Sequence, residues 1–234
     1  MKVIIFGGTS EGRSATEERI KAGDTVIACV TSDYARRLLP SGPRVLTKAM
    51  DEVQMRELIM QEHPDKIIDA THPFAVRASE NIRRAAAEMG VPIQRIVRAG
   101  SEHCAWIHDV EWVANPEEAA QALARTEGNI LLTTGSHTLS VYTHRLGTER
   151  IFARVLPMVA ALQLCEGLGL PSSHVIAMQG PFPSSLNGAL YDALGIQVLL
   201  TKDSGEPGGV SDKVLPALER DIHVIVIRRP EEVI

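Results

Sequence analysis

Short apolar runs recur along the chain, and most are followed by a polar stretch whose apolar residues fall at helical spacing. "KVIIF" (2–6) predicts a strand that ends in a Gly-rich turn, with a helix from about Ser10 to Ala22 closed by Gly23. "DTVIACV" (24–30) predicts the next strand. Asp51 opens a helix with Gln54 three residues on, a capping-box arrangement, and Met55, Leu58 and Ile59 fall on one face. The strand "KIIDA" (66–70) follows, then a helix carrying Val76, Ser79, Ile82, Ala86 and Met89, then the strand "PIQRIV" (92–97). Strand, helix, strand, repeated, is the pattern of a parallel sheet with crossover helices.

The second half repeats the theme. "NPEEAAQAL" predicts a helix with Asn115 as N-cap, Pro116 in the first position and two acids in the first turn. "NILLTT", "RIFARV", "HVIAM", "IQVLL" and "HVIVIRR" predict strands, with a helix from about Val210 before the last. Both halves end alike, one through "THPFA" and "VPIQRIVR", the other through "KDSGEPGG" and "DIHVIVIR". The likeness is that of two similar lobes or simply that of any two βαβ units. The expected fold is α/β: two Rossmann-like domains with parallel sheets and a cleft between them, spanning 1–100 and 101–234. The polar stretch Ala99–His108 marks the boundary.

Composition narrows the class. The 234 residues are 44% hydrophobic and 23% charged, as in a soluble globular protein. The formal net charge of -5 carries no signature of nucleic-acid binding, so an anionic partner needs a local basic patch. Cys29, Cys104 and Cys165 are far apart and read as buried or free thiols of a reducing cytoplasm. No apolar run has the length of a signal peptide or a membrane span, so a cytoplasmic location with no membrane partner is expected.

Several loops carry candidate chemistry. "FGGTSEGR" (6–13) joins the first strand to the first helix, the place of a phosphate-binding turn. Gly7 and Gly12 fit the dinucleotide fingerprint, and Thr9 replaces its middle glycine; a tight structural turn is the other reading. After the second strand stand Thr31 and Ser32, followed by Arg36 and Arg37. Hydroxyls and an arginine suit a ribose 2′-phosphate, as against a solvated helix start. His72 lies between Thr71 and Pro73 at a strand end on the ligand side, where it either shapes the turn or meets a ligand. "TTGSH" (133–137) and "KDSGEPGG" (202–209) are anion-binding loops or plain turns.

Other chemistries lack their residues. No Tyr-x-x-x-Lys exists, because Leu38, Leu146 and Gly195 stand four residues after the tyrosines. No P-loop and no G-x-S-x-G elbow is present. His103, Cys104 and His108 fit no familiar zinc spacing, so no metal site is expected.

Taken in order, "GGTSEGR", "DATHPFA", "TTG", "RVLP", "QGPF", "KDSGEPGG" and "VIVIRRP" resemble the precorrin-6A reductases, a family that includes the cobalt-precorrin-6A reductases of cobalamin biosynthesis. The resemblance covers essentially the whole chain. His137 stands where a lysine is expected after "TTG-x", and Ser185 where an acid often precedes "LN". The resemblance implies hydride transfer from a reduced nicotinamide to one double bond of a corrin precursor, giving precorrin-6B or its cobalt form.

On that footing the expected cofactor is NADPH, with NADH the alternative. Gly7, Gly8, Thr9, Gly12, Thr31, Ser32, Arg36 and Thr71 are assigned to it. His72 is the candidate catalytic residue. The implied tetrapyrrole carries carboxylates around its rim, and Arg98, His137, Arg154, Lys202, Ser204 and Lys213 are assigned to them. The rival functions are a non-catalytic dinucleotide-binding regulator and another two-lobed nucleotide-dependent enzyme.

Overall fold

Strands that are apolar on both sides need cover on both faces. The computed structural model, which describes residues 1–97 and 99–230, provides it twice. The described residues form two compact units that meet in sequence at residue 98.

The first unit holds β1 (Lys2–Phe6), α1 (Ser10–Lys21), β2 (Thr25–Val30), α2 (Asp33–Arg37), β3 (Arg44–Thr47), α3 (Glu52–Glu62), β4 (Lys66–Asp69), α4 (Val76–Glu88) and β5 (Ile93–Arg95). Its five strands are all parallel, in the order β3-β2-β1-β4-β5. Ile4, Phe6, Ile27 and Ile67 face one layer of the core, with Met55, Leu58 and Ile59 of α3 and Ile82 of α4. Val3, Ile5, Val26 and Ile68 face the other, against Ala15 of α1.

The second unit holds β6 (Glu111–Val113), α5 (Pro116–Leu123), β7 (Asn129–Leu132), α6 (Leu139–Leu146), β8 (Ile151–Val155), α7 (Val159–Gly167), β9 (Val175–Ala177), α8 (Ser184–Leu194), β10 (Ile196–Lys202), α9 (Ser211–Leu218) and β11 (His223–Ile227). Its strands are also parallel, in the order β6-β11-β10-β7-β8-β9. Read from the other edge, β9-β8-β7-β10-β11 repeats the order of the first sheet, with β6 added outside. The likeness of the two halves therefore extends to strand order. The α/β class with two parallel sheets is as expected.

Helix ends follow the sequence signals. Both bonds of the Asp51–Gln54 capping box form, and Asn115 caps α5 with Pro116 inside. The expected face of α4 is realised only in its middle: Ile82, Ala85 and Ala86 are buried, whereas Val76 and Met89 lie exposed at its ends. β5 is shorter than "PIQRIV", as an edge strand with Ile93 half out of the core. The strands β3 and β6 were not expected.

Candidate functional site

In a sheet of this topology, ligands gather beyond the strand ends where the order reverses. That point lies between β1 and β4 in the first unit and between β7 and β10 in the second. The loops there are the ones the sequence marks: Gly7–Thr9 with Ala70–Phe74, and Thr133–Gly135 with Asp203–Gly209.

In the first unit, the Gly7 amide donates to Cys29 O at 3.0 Å and carries β1 into the turn. Gly8 has φ +129°, a conformation that favours glycine, and the space a Cβ would fill there is open. A Cβ on Gly12 would approach Gly7 Cα to 3.1 Å, so a side chain there would force the turn or the start of α1 to shift. Thr9 caps α1, accepting from Gly12 N at 3.1 Å and donating to Ala70 O at 2.9 Å. The threonine in place of a middle glycine thus ties the first loop to the second. A shallow depression lies over this junction, lined by Thr9, Glu11, Ala70, Thr71, Pro73 and Ile96. Open space at Gly8 and a helix N-terminus behind it fit a dinucleotide phosphate.

On the neighbouring strand, Ser32 caps α2 through a 3.2 Å bond from Ala35 N. Thr31 and Arg36 are exposed beside it, and Asp33 opens the helix. The residues assigned to the cofactor, Gly7, Gly8, Thr9, Gly12, Thr31, Ser32, Arg36 and Thr71, therefore fall along three adjacent strand ends.

The second loop is held from below. Asp69 is 2% exposed, and its Oδ1 accepts from Thr71 N at 3.0 Å. Arg95 of β5 reaches the same oxygen at 2.8 Å and the Thr71 carbonyl at 3.1 Å. Thr71 Oγ1 meets Ser79 Oγ at 2.9 Å. His72 stands on this frame, half-buried, and its Nδ1 accepts from Phe74 N at 3.2 Å. That bond assigns the proton of the neutral ring to Nε2.

The second unit repeats this device. Asp203 is buried, and its Oδ1 accepts from Gly205 N, two residues on, at 3.3 Å. Ser101 Oγ donates to the same oxygen at 2.6 Å, and Arg229 Nε lies 3.4 Å from Oδ2. "DATHP" and "DSGEP" align, aspartate with aspartate and proline with proline. That spacing was readable in the sequence; Asp203, Ser101, Arg229 and Arg95 were nevertheless not singled out. Their partners lie on other strands, which no local pattern discloses.

Beside the second loop, Arg154 leaves β8 and donates to Asn187 Oδ1 at 2.7 Å, with its guanidinium 5.3 Å from the Phe182 ring. Asn187 is fully buried and donates to Phe182 O, Pro183 O and Asp212 O. Lys213 is 8% exposed, and its Nζ lies 3.4 Å from Ser204 Oγ. Burial, and then the charge of Arg154, push the Lys213 ammonium down to about 7. Burial also lowers Lys202 and Arg154. Arg154, Ser204 and Lys213 thus come together. His137 stands apart, exposed in the turn after β7. Arg98 lies outside the described residues.

No group of three His, Cys, Asp or Glu side chains is placed to hold a metal among the described residues. Cys104 lies instead 3.4 Å from Glu206 Oε1. No described helix is long and apolar enough to cross a membrane.

Comparison with known proteins assigns the chain to a family. The family model described as "Precorrin-6x reductase CbiJ/CobK" matches residues 2–234. The chain belongs to the precorrin-6x reductase family. A cobalt-precorrin-6A reductase of Priestia megaterium is 38% identical over 98% of this chain and 91% of its own. One of Methanocaldococcus jannaschii is 33% identical over 99% and 91%. A solved structure titled "CobK precorrin-6A reductase" superposes with a TM-score of 0.80 over 99% of this chain and 89% of that one, at 21% identity, and shows the shared fold. Membership in the precorrin-6x reductase family brings reduction of a precorrin in cobalamin biosynthesis, and it implies a nicotinamide cofactor.

Proposed function

We propose that this precorrin-6x reductase takes hydride from NADPH to reduce one ring double bond of cobalt-precorrin-6A, giving cobalt-precorrin-6B. The observation that carries the reading is a pairing within one chain. A glycine-lined turn occupies one switch point, and a buried lysine with a half-buried arginine beside it adjoins the other. Both relatives named above are named for the cobalt-loaded substrate, which favours it over the metal-free ring.

Residues 1–100 bind the dinucleotide and residues 101–234 contribute the substrate site. Backbone amides of Gly7, Gly8, Thr9 and Gly12 hold the pyrophosphate, because the space beside Gly8 is open to it. Thr31, Ser32 and Arg36 take the ribose 2′-phosphate, and Thr71 borders the cofactor. The bound nicotinamide supplies the hydride. Hydride on one carbon leaves its neighbour short of a proton; His72 donates it from Nε2 as the imidazolium, a form in which Nδ1 carries its own proton and releases the Phe74 amide, and is left as the neutral ring. Lys202, Ser204, His137, Arg154 and Lys213 bind the rim carboxylates, and Arg98 belongs to the same assignment.

The test is anaerobic incubation with cobalt-precorrin-6A or metal-free precorrin-6A and either reduced nicotinamide, following loss of the cofactor's near-ultraviolet absorbance. Faster turnover of the cobalt form with NADPH is expected. Cofactor binding without consumption by either ring would leave a non-catalytic dinucleotide-binding module.

A further inference from the structure

At one end of the second sheet a buried lysine, Lys213, stands beside a half-buried arginine, Arg154, and neither has an acid within ion-pair distance among the described residues. The acids nearest to them are already engaged. Asp203 is bonded to Ser101 and faces Arg229, and Asp212 accepts from Ser184 Oγ at 2.8 Å. The Tyr191 hydroxyl donates to the backbone oxygen of Lys213, and burial keeps that phenol protonated. Asn187, the partner of Arg154, is a neutral amide fixed by three carbonyls. A buried charge left with hydroxyl and amide partners costs far more than one that meets a counter-ion.

We propose that Lys213 and Arg154 form a subsite for one carboxylate of the tetrapyrrole substrate, and that occupation of this subsite draws a proton from solvent onto Lys213. The inference rests on the reductase reading and adds to it a coupling between substrate binding and protonation. Without substrate, burial and the neighbouring guanidinium keep Lys213 neutral for much of the time at neutral pH. An arriving carboxylate reverses that balance, since an opposite charge within a few ångströms favours the ammonium. One N–H bond forms on the lysine amine, the proton comes from solvent, and the carboxylate docks already ionised. Arg154 stays charged throughout and gives the carboxylate a first partner. Asp203 and Asp212 do not replace it, because their oxygens are held by Ser101, Gly205 and Ser184.

The test is calorimetric titration of the full chain with uroporphyrin, a carboxylate-rimmed porphyrin, in phosphate and in Tris. The difference in heat between the buffers counts protons taken up. About half a proton at pH 7, rising toward one at pH 9, is expected for a lysine titrating near 7. A parallel titration with NADPH is expected to show none at this site. Lys213→Met is expected to abolish the uptake and to weaken porphyrin binding at pH 7 by about tenfold. Absent porphyrin binding, uptake that survives in Lys213→Met, or uptake that accompanies NADPH instead would overturn the proposal. Activity of wild type on precorrin-6A separates the two readings. Turnover without proton uptake removes this subsite alone; uptake without turnover removes the reductase reading alone.

Discussion

Arg95 and Asp69 are register partners across β4 and β5, and the guanidinium lies 2.8 Å from the buried carboxylate. The same nitrogen holds the Thr71 carbonyl, so the charge pair fixes the loop that carries His72. Replacing Arg95 with methionine leaves the Asp69 carboxylate buried without its cation. Loss of one partner of a buried pair costs about 3 kcal/mol. Urea denaturation of Arg95→Met should show it as a lower midpoint with an unchanged slope. An unaltered midpoint would mean that the Thr71 amide alone satisfies Asp69.

How much of this was legible in the sequence depended on burial. The strands covered on both faces, such as "VIIF" and "NILL", announce themselves by unbroken apolar runs. β3 and β6 are edge strands, and all of their residues except Val113 are half-buried or exposed. "RVLT" and "EWV" therefore look like loop. The caps Asp51 and Asn115 were readable because a cap bonds its own neighbours. The glycine turn was readable for the same reason. The buried pairs were not, since Ser101 meets Asp203 across 102 residues of sequence. Asn187 reads as an ordinary helix residue until Arg154 is found beside it.

Arg36 sets the cofactor preference in the proposed site. It is exposed on α2, one turn beyond the N-cap Ser32, and its amide donates to Ser32 O at 3.1 Å. A 2′-phosphate contact of about 1.4–3 kcal/mol corresponds to a preference for NADPH of about tenfold to a hundredfold or more. Arg36→Ala should remove that preference, read as the ratio of kcat/KM for the two cofactors. A wild type that prefers NADH would instead point to Asp33 binding the ribose hydroxyls.

His72 donates the proton in the proposed reaction. His72→Ala should lower kcat about a hundredfold while the far-ultraviolet spectrum stays native. His72→Gln keeps an acceptor for the Phe74 amide and should fare no better. Near-normal turnover in either variant assigns the imidazole to shaping the turn.

Lys202 ends β10 at the second switch point, and burial lowers its ammonium. A carboxylate on the tetrapyrrole rim gives it a charge-assisted bond worth about 1.5–3 kcal/mol. Lys202→Ala should therefore raise the substrate KM by about tenfold or more and leave the Kd for NADPH in place. Equal losses for both ligands would place Lys202 in the general architecture of the unit.

Lys213 gives the ligand-free chain a pH-dependent stability of definite sign. In the folded chain its ammonium titrates near 7, against an ordinary value of 10.5. Between those limits the unfolded chain binds more protons than the folded one, so the free energy of unfolding rises with pH. Below about pH 7 both states hold the proton, and the lysine contributes no slope. From pH 7 to pH 9 the gain is about 2 kcal/mol, at roughly 1.4 kcal/mol per unit. Burial lowers Lys202 as well and pushes in the same direction, but it does so in any Lys213 variant too. The quantity to measure is therefore a difference: urea midpoints of wild type and Lys213→Met at pH 7 and pH 9. Wild type should gain on the variant as pH rises. If the gap stays constant, or closes the other way, Lys213 is charged in the free protein and already has its counter-ion.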